Sequence, residues 1–457
     1  MAKDTISQYS KTAGSNTDLQ SVSCAEGMSP SDVNNWMREL MVDLASLYDG
    51  TQSLATLKTT TALSAANGSV SAPSLQATAD TNSGVFFPAA DSVGITAGGV
   101  EQFRFGSNPI PGGGYKNLLV NGSMAIAQRS SQTAVGASDG DRCAVDMWKV
   151  QKRGSPEGRV TATQTADTGM NLNGHEYTCK LDCTTAESAV AATEAHTLSQ
   201  SIEAQNLQGL KFGTANAEAI TLSFWFSSPK TGIHCASLYL SDTGYSQVKE
   251  FTISSANTWE KFSLTFSANT SQKINNDTGS GMIVSFALTA GSNFQVSADT
   301  WASGEDFATS NQQNLLDNTS NNVSLAGCQL EIGSVATDFA YESVATIMTK
   351  CQRYLEVVGR EAQYTRLAMG YVASTSTVYG NLYYTRKREA PSLTKVGTFY
   401  GNDFGAGTVG GTMVISHAGT QSCLFELSGG SGLTGGQAIS MATLNSTSDY
   451  LIISSEL

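Results

Sequence analysis

ITLSFWFS, residues 220–227, decides the fold class: Ile220, Leu222, Phe224 and Phe226 fall on one side of a two-residue period, and Thr221, Ser223, Trp225 and Ser227 on the other. Successive side chains of a strand point to opposite faces, so the segment reads as a strand with one apolar, core-facing side. The period recurs at Phe262, Leu264 and Phe266 against Lys261, Ser263 and Thr265, and again at Met282, Val284, Phe286 and Leu288. Outward from these runs it holds almost throughout 117–343 and predicts antiparallel strands packed as a two-sheet sandwich, with no helix.

The composition fits a β-rich chain and bounds the function. The 457 residues are enough for two or three cores. Only 14% are charged, against roughly 25% in an average soluble protein. A net charge of -13 with no Lys/Arg cluster excludes binding to the phosphates of nucleic acid. No apolar run approaches a membrane span, and MAKDTISQYSK at the N-terminus lacks the apolar core of a secretory signal, so the expectation is synthesis in a cytoplasm without membrane insertion. The eight cysteines are scattered, which predicts free buried thiols.

At the N-terminus, Ser29-Pro30-Ser31-Asp32 signals a helix start: a Ser cap, Pro at the first helical position and an acid three residues after the cap. The spacing predicts a helix over 30–48 with Val33, Met37, Leu40, Leu44 and Leu47 on one stripe and Trp36 beside it. With no core evident in the first fifty residues, that stripe is expected to pack on other copies or on another subunit. Residues 51–65 read as a connector. Ser69–Phe105 then reads as short strands broken by Gly and Pro, with too few apolar residues for a monomeric core, so a homotrimer is expected. SNPIPGGG, 107–114, is the clearest linker.

Beyond 343 the sequence predicts a short helix over Val344–Val358 and a separate C-terminal β unit with strands at 378–385, 422–427 and 450–454. Clusters of glycine near 401–411 and 429–436 mark loops, where β scaffolds carry recognition surfaces.

Several stretches resemble pieces of bacteriophage tail fibres. NLLVNGSMAIAQR (117–129) and GCQLEIGSVATDF (327–339) resemble the opening and closing strands of a carbohydrate-binding-like jelly roll, and TLSFWF (221–226) and TWEKFSLTF (258–266) its paired inner strands. In one departure, Asp141-Arg142 is separated by an insertion from Trp148. NTDLQSVSCAEGMSPSDVNNWMREL (16–40) resembles the virion-attachment end of such fibres, the 69–105 segment a fibre-shaft unit, and KREAPSL (387–393) and SDYLIISSEL (448–457) the fibre-tip domain. The resemblance implies a mainly β protein: an attachment segment at 1–50, a trimeric β shaft and linker at 51–115, a jelly-roll β-sandwich at 116–343 and a β-rich tip at 344–457. Its implied partners are tail adaptor, nozzle or baseplate proteins and a host surface polysaccharide.

The chemistry follows the residues. GAGTVG (405–410) precedes a strand rather than a helix, so it is no dinucleotide turn. His175 with Cys179 and Cys183 falls short of a tetrahedral metal set, and the two thiols share a strand's apolar face. No metal or cofactor is called for. Glu305 and Asp306, near Trp301, are the most suggestive carboxylates for a depolymerase, with a solvated acidic loop as the plainer reading. Saccharides stack C–H faces on aromatic rings and hydrogen-bond to amides, which singles out Trp301, Trp225, Tyr379, Tyr383 and Asn381. A fibre that serves only as a spacer remains the competing expectation.

Overall fold

In the computed structural model the described residues are 18–19, 22–23, 27, 29–48, 66–90, 92–105, 116–138, 140–171, 173–402, 407–409, 413–443 and 448–457. They fall in two compact units, 1–110 and 111–457.

In the first unit a helix spans Pro30–Tyr48. Ser29 caps it: its Oγ accepts from Asp32 N at 3.2 Å and donates to Asp32 Oδ2 at 2.8 Å. Val33, Met37 and Leu44 of the expected stripe are exposed, as are Met41 and Val42, whereas Trp36 and Leu40 are half-buried. The Leu47 side chain lies outside the described residues. A four-stranded antiparallel sheet follows, Leu75–Ala77, Asp80–Phe86, Val93–Ala97 and Val100–Phe105 in sequence order. Phe86 is its one large apolar side chain buried among the described residues, while Leu75 and Ile95 are 47% and 37% exposed.

The second unit contains the sandwich predicted from alternation. One sheet has six strands in the order Glu260–Phe266, Ile220–Ser227, Asn322–Ile332, Tyr177–Thr185, Arg159–Ala166 and Gln132–Val135. The facing sheet has seven: Trp301–Ser303, Tyr245–Ile253, Gly232–Leu240, Ser280–Ala290, Ala195–Glu203, Lys149–Arg153 and Asp141–Arg142. Leu222, Phe224 and Phe226 meet Phe251, Phe286 and Trp148 between the sheets, and the ring centroids of Phe224 and Phe286 are 4.8 Å apart. Alternation missed a one-turn helix at Thr168–Asn171, held by Asp167 Oδ1 accepting from Gly169 N and Met170 N. The seven cysteines among the described residues are buried and unpaired.

The polar residues of the two jelly-roll-like strings lock the sandwich shut. Asn117 Nδ2 donates to Cys328 O at 3.0 Å, while its Oδ1 accepts from Leu119 N and Leu330 N. Asn121 closes its own turn by bonding Ile126 N and Ile126 O. Glu331 Oε1 accepts from Thr337 N, and Gln329 Oε1 from Ala340 N, so the chain folds back after the strand. Gly122 is required at the crossing because a Cβ there would lie 2.0 Å from Cys328 O. Gly122→Ala must displace backbone, and an expected loss of about 1–3 kcal/mol is read as a lower urea midpoint at unchanged slope.

C-terminal to the sandwich, the helix expected over 344–358 stops at Gln352. Leu355–Val358 is instead a strand paired with Tyr450–Ser454, because Val357 and Val358 favour the pleated sheet and an extended partner is available. With Ser392–Val396 these make a three-stranded sheet. An eight-stranded sheet runs Met413–Ser416, Ser422–Leu427, Thr377–Tyr383, Arg366–Ser374, Ala438–Thr443, Phe399–Asn402, Gly407–Val409 and Gly430–Ser431. Val378, Leu382, Phe425 and Leu427 from its inner face pack with Leu451 and Ile453.

The two β bodies of this unit meet at a joint that is apolar on one side and ionic on the other. Ile126 and Met147 pack on Ile347, Cys351 and Tyr354. Beside them Arg129 pairs with Glu456, whose side chain is 1% exposed, and Arg142 lies 3.8 Å from the same carboxylate. Arg353 Nε and Tyr354 OH both donate to Glu203 Oε2, at 2.9 and 2.8 Å. Gln128 spans the joint, donating to Asp146 Oδ2 at 2.7 Å and Leu355 O at 3.0 Å and accepting from Val357 N at 3.1 Å. From KREAPSL, Lys387 is buried on Gln352 O and Glu356, and Arg388 donates to Thr278 O at 3.0 Å.

Burial pushes the Asp146 carboxyl up to about 6 despite the Gln128 donors. A raised carboxylic pKa means that the folded state binds more protons than the unfolded state between about 4 and about 6. Stability from this group is therefore greatest in acid and falls as pH rises through that window, by about 3 kcal/mol for a gap of this size. Asp146→Asn is expected to remove this group's share of the pH slope, read as the difference between the wild-type and variant profiles in urea unfolding across the window. Parallel profiles would show that the carboxyl ionises freely.

Candidate functional site

Alternation along Thr377–Tyr383 places Val378, Gly380 and Leu382 inward and Tyr379, Asn381 and Tyr383 outward. The inward side is fixed by packing: a Cβ at Gly380 would sit 2.5 Å from the Phe425 ring, so only glycine lets that ring lie flat beneath the strand. The outward side faces solvent. Tyr383 is 78% exposed, Asn381 is exposed and Tyr379 is half-exposed.

Register extends this face across neighbouring strands. Tyr371 pairs with Tyr379, Tyr379 with Glu426 and Glu426 with Val414, giving one row over four strands. Met369, Asn381, Leu424 and Ser416 form the next row. The rings of Tyr371 and Tyr379 lie 5.7 Å apart at 33°. Glu426 faces Tyr379 across the strand pair, and its proximity and negative charge push the phenol above its ordinary value. Tyr371 and Met369 are 53% and 68% exposed. Sequence reasoning missed both, although the alternation of 366–374 carried the signal. Its outward set depends on a register shift between Val372 and Ser374 and on the pairing with the 377–383 strand, which the string does not reveal.

The tryptophan candidates sit differently. Trp301 is half-buried on the edge strand of the seven-stranded sheet, with its Nε1 donating to Ser267 O at 2.9 Å and its ring edge-on to Phe212 at 5.9 Å. Its polar handle is thus spent within the protein. Trp225 is half-buried on the outer face of the six-stranded sheet, between Lys261 and Ala326. Trp259 donates to Asp167 Oδ2 at 3.0 Å. Neither is brought near the tyrosine row by pairing, so the five candidates divide between the sandwich and the C-terminal sheet.

The acidic pair near Trp301 is also committed. Arg153 Nε donates to Glu305 Oε2 at 2.7 Å, and Asp306 is buried, accepting from Ser246 Oγ at 3.1 Å. Burial raises the Asp306 carboxyl above its ordinary value. His175 lies over Gly327, edge-on to Phe339 at 4.8 Å, whereas Cys179 and Cys183 point into the sandwich core. Among the described residues no three His, Cys, Asp or Glu side chains converge as metal ligands, and no helix is long and apolar enough to cross a membrane. Residues 405–406 and 410 of the GAGTVG string lie outside the described residues.

No family model and no curated protein matches the chain. Solved structures similar to it include the enzymatically active domain of tailspike protein 4 of bacteriophage CBA120, at 13% identity and a TM-score of 0.25, covering 48% of this chain and 22% of that one. A putative sugar binding protein from Bacteroides thetaiotaomicron is similar at 14% identity and a TM-score of 0.26, covering 47% of this chain and 99% of its own. A family 11 carbohydrate-binding module from Clostridium thermocellum is similar at 10% identity and a TM-score of 0.23, covering 46% and 99%.

Proposed function

We propose that the chain is an adhesive tail fibre of a bacteriophage virion, attached to the tail by its N-terminal segment and holding a host-surface saccharide on the outward face of its C-terminal sheet. The observation that carries the binding is the exposed row of Tyr371 and Tyr379 with Tyr383 and Asn381 alongside: flat apolar rings next to an amide, on a rigid strand pair. Rings suit the C–H face of a sugar, and the amide and phenols suit its hydroxyls. The tail-fibre assignment is supported by the ordered string of resemblances along the chain. Trp225 and Trp301 are secondary candidates, their rings half-buried.

The reading includes a homotrimer. Among the described residues, the sheet whose apolar Leu75, Val85 and Ile95 are aligned across three strands, with Leu75 and Ile95 exposed, has no second layer of the kind a stable domain requires. Two further copies supply it, and the exposed Val33, Met37 and Leu44 of the helix find partners in the same way. Three saccharide sites per fibre make later contacts effectively intramolecular, so weak single sites give firm adhesion. Light scattering of the full chain at micromolar concentration is expected to return a trimer mass; a monomer mass would sink this arrangement.

A spacer fibre is the second reading, favoured by Met369 and Val414, apolar and exposed on the same face, as at a contact between proteins. Binding of the full chain to a panel of immobilised bacterial surface glycans separates the two. Capture by a restricted set, competed by the free glycan, supports adhesion; a well-folded trimer that no glycan captures supports the spacer. Release of new reducing ends would instead indicate a depolymerase.

A further inference from the structure

The tyrosine row carries one feature that a neutral sugar does not require. Two aromatic faces lead directly to a carboxylate: Tyr371 pairs with Tyr379, and Tyr379 with Glu426 on the adjoining strand. Glu426 is half-exposed, and its carboxylate is an acceptor with lone pairs available to a ligand. The electron-rich faces of tyrosines attract a cation within about 6 Å of the ring, and a neighbouring carboxylate adds to the attraction. The exposed thioether of Met369, a soft and polarizable group, lies one row away. A chain of net charge -13 favours approach of a cation over an anion.

The geometry points to recognition of an ammonium group: Tyr371, Tyr379 and Glu426 form an open aromatic and carboxylate site for a positively charged substituent on the ligand. Resting on the saccharide reading above, the inference selects an amine-bearing glycan and disfavours polyanionic polysaccharides, which the Glu426 carboxylate repels. The same chemistry would accept a quaternary ammonium, as in choline-decorated glycans. The two sources share the cation and differ in the sugar.

The test is calorimetric titration of the full trimeric chain, in mildly acidic buffer where the amine is charged, with a glucosamine oligosaccharide, its N-acetylated form, phosphocholine and an oligogalacturonate. The amine form is expected to bind about tenfold more tightly than the acetylated form, with oligogalacturonate weakest. Glu426→Gln should shrink that ratio towards one while the circular dichroism and trimer mass stay unchanged. Tyr379→Leu should lower binding of the amine form further. Phosphocholine binding without binding of either oligosaccharide keeps the cation site and overturns the saccharide reading. Equal binding of amine and acetylated forms, unaffected by Glu426→Gln, overturns the cation site and keeps the saccharide reading. Binding of none of the four ligands overturns the cation site.

Discussion

Glu456→Ala lowers the unfolding free energy of the 111–457 unit by about 3–5 kcal/mol. Burial alone would raise the Glu456 carboxyl, yet the guanidinium groups of Arg129 and Arg142 outweigh it and hold the acid below its ordinary value, so it is ionised at the joint. Deleting it takes from Arg129, 9% exposed, its paired carboxylate and leaves it beside a second cation, with only the Asp146 carboxyl as a further counter-charge. The cost is that of a buried charge deprived of its paired partner and exceeds the net worth of the pair. Because Glu456 lies between the sandwich and the C-terminal sheets, the variant should also separate the two bodies, giving a first urea transition for one and a later one for the other. The double change Arg129→Met with Glu456→Leu should recover most of the loss, since an apolar pair of similar volume removes both charges. A Glu456→Ala protein within 1 kcal/mol of wild type, with a single transition, would mean that the joint rests on the Ile347 and Tyr354 packing alone. Glu456 has a pH signature opposite in sign to that of Asp146: its depressed pKa gives stability that is present at neutral pH and lost as pH falls through the folded value.

The second large effect concerns binding. Tyr379→Ala with Tyr383→Ala removes one half-exposed and one 78% exposed ring from the outward face. Truncating a central aromatic contact commonly costs 2 kcal/mol or more, about thirtyfold per site. Over the three sites of the proposed trimer such losses compound, so apparent affinity for an immobilised glycan should fall by about four orders of magnitude. Stability should move by no more than about 0.5 kcal/mol, because neither side chain supports the core. Surface plasmon resonance on captured glycan, with trimer mass and melting temperature as controls, reads both quantities. Unchanged capture by the double variant would remove the tyrosine face from the adhesive mechanism and return attention to Trp225 on the sandwich.

Much of this was legible in the residues. Ile220–Ser227 announces its own two faces because side-chain direction in a strand is a local property. Ser29 and Pro30 set a helix start for equally local reasons, the hydroxyl oxygen answering an unpaired N–H and the ring fixing φ. The outward positions of Tyr379, Asn381 and Tyr383 followed from the same parity.

What the string withheld were relations between distant segments. The helix predicted past Gln352 gave way to a strand because Leu355–Val358 had Tyr450–Ser454, a hundred residues away, as its partner. Trp301, a saccharide candidate in the sequence, is half-buried because Phe212 and the Ser267 carbonyl come to meet it. The join of Tyr371 to Tyr379 and of Tyr379 to Glu426 depends on three strands finding register. By itself the sequence determined strand, turn and cap, since these are settled by each residue's own backbone preference and side-chain direction. Only the tertiary structure decided which polar groups are spent on one another, as Glu456 is on Arg129, and which, like Glu426, are left half-exposed on an outward face, because long-range packing alone sets those distances.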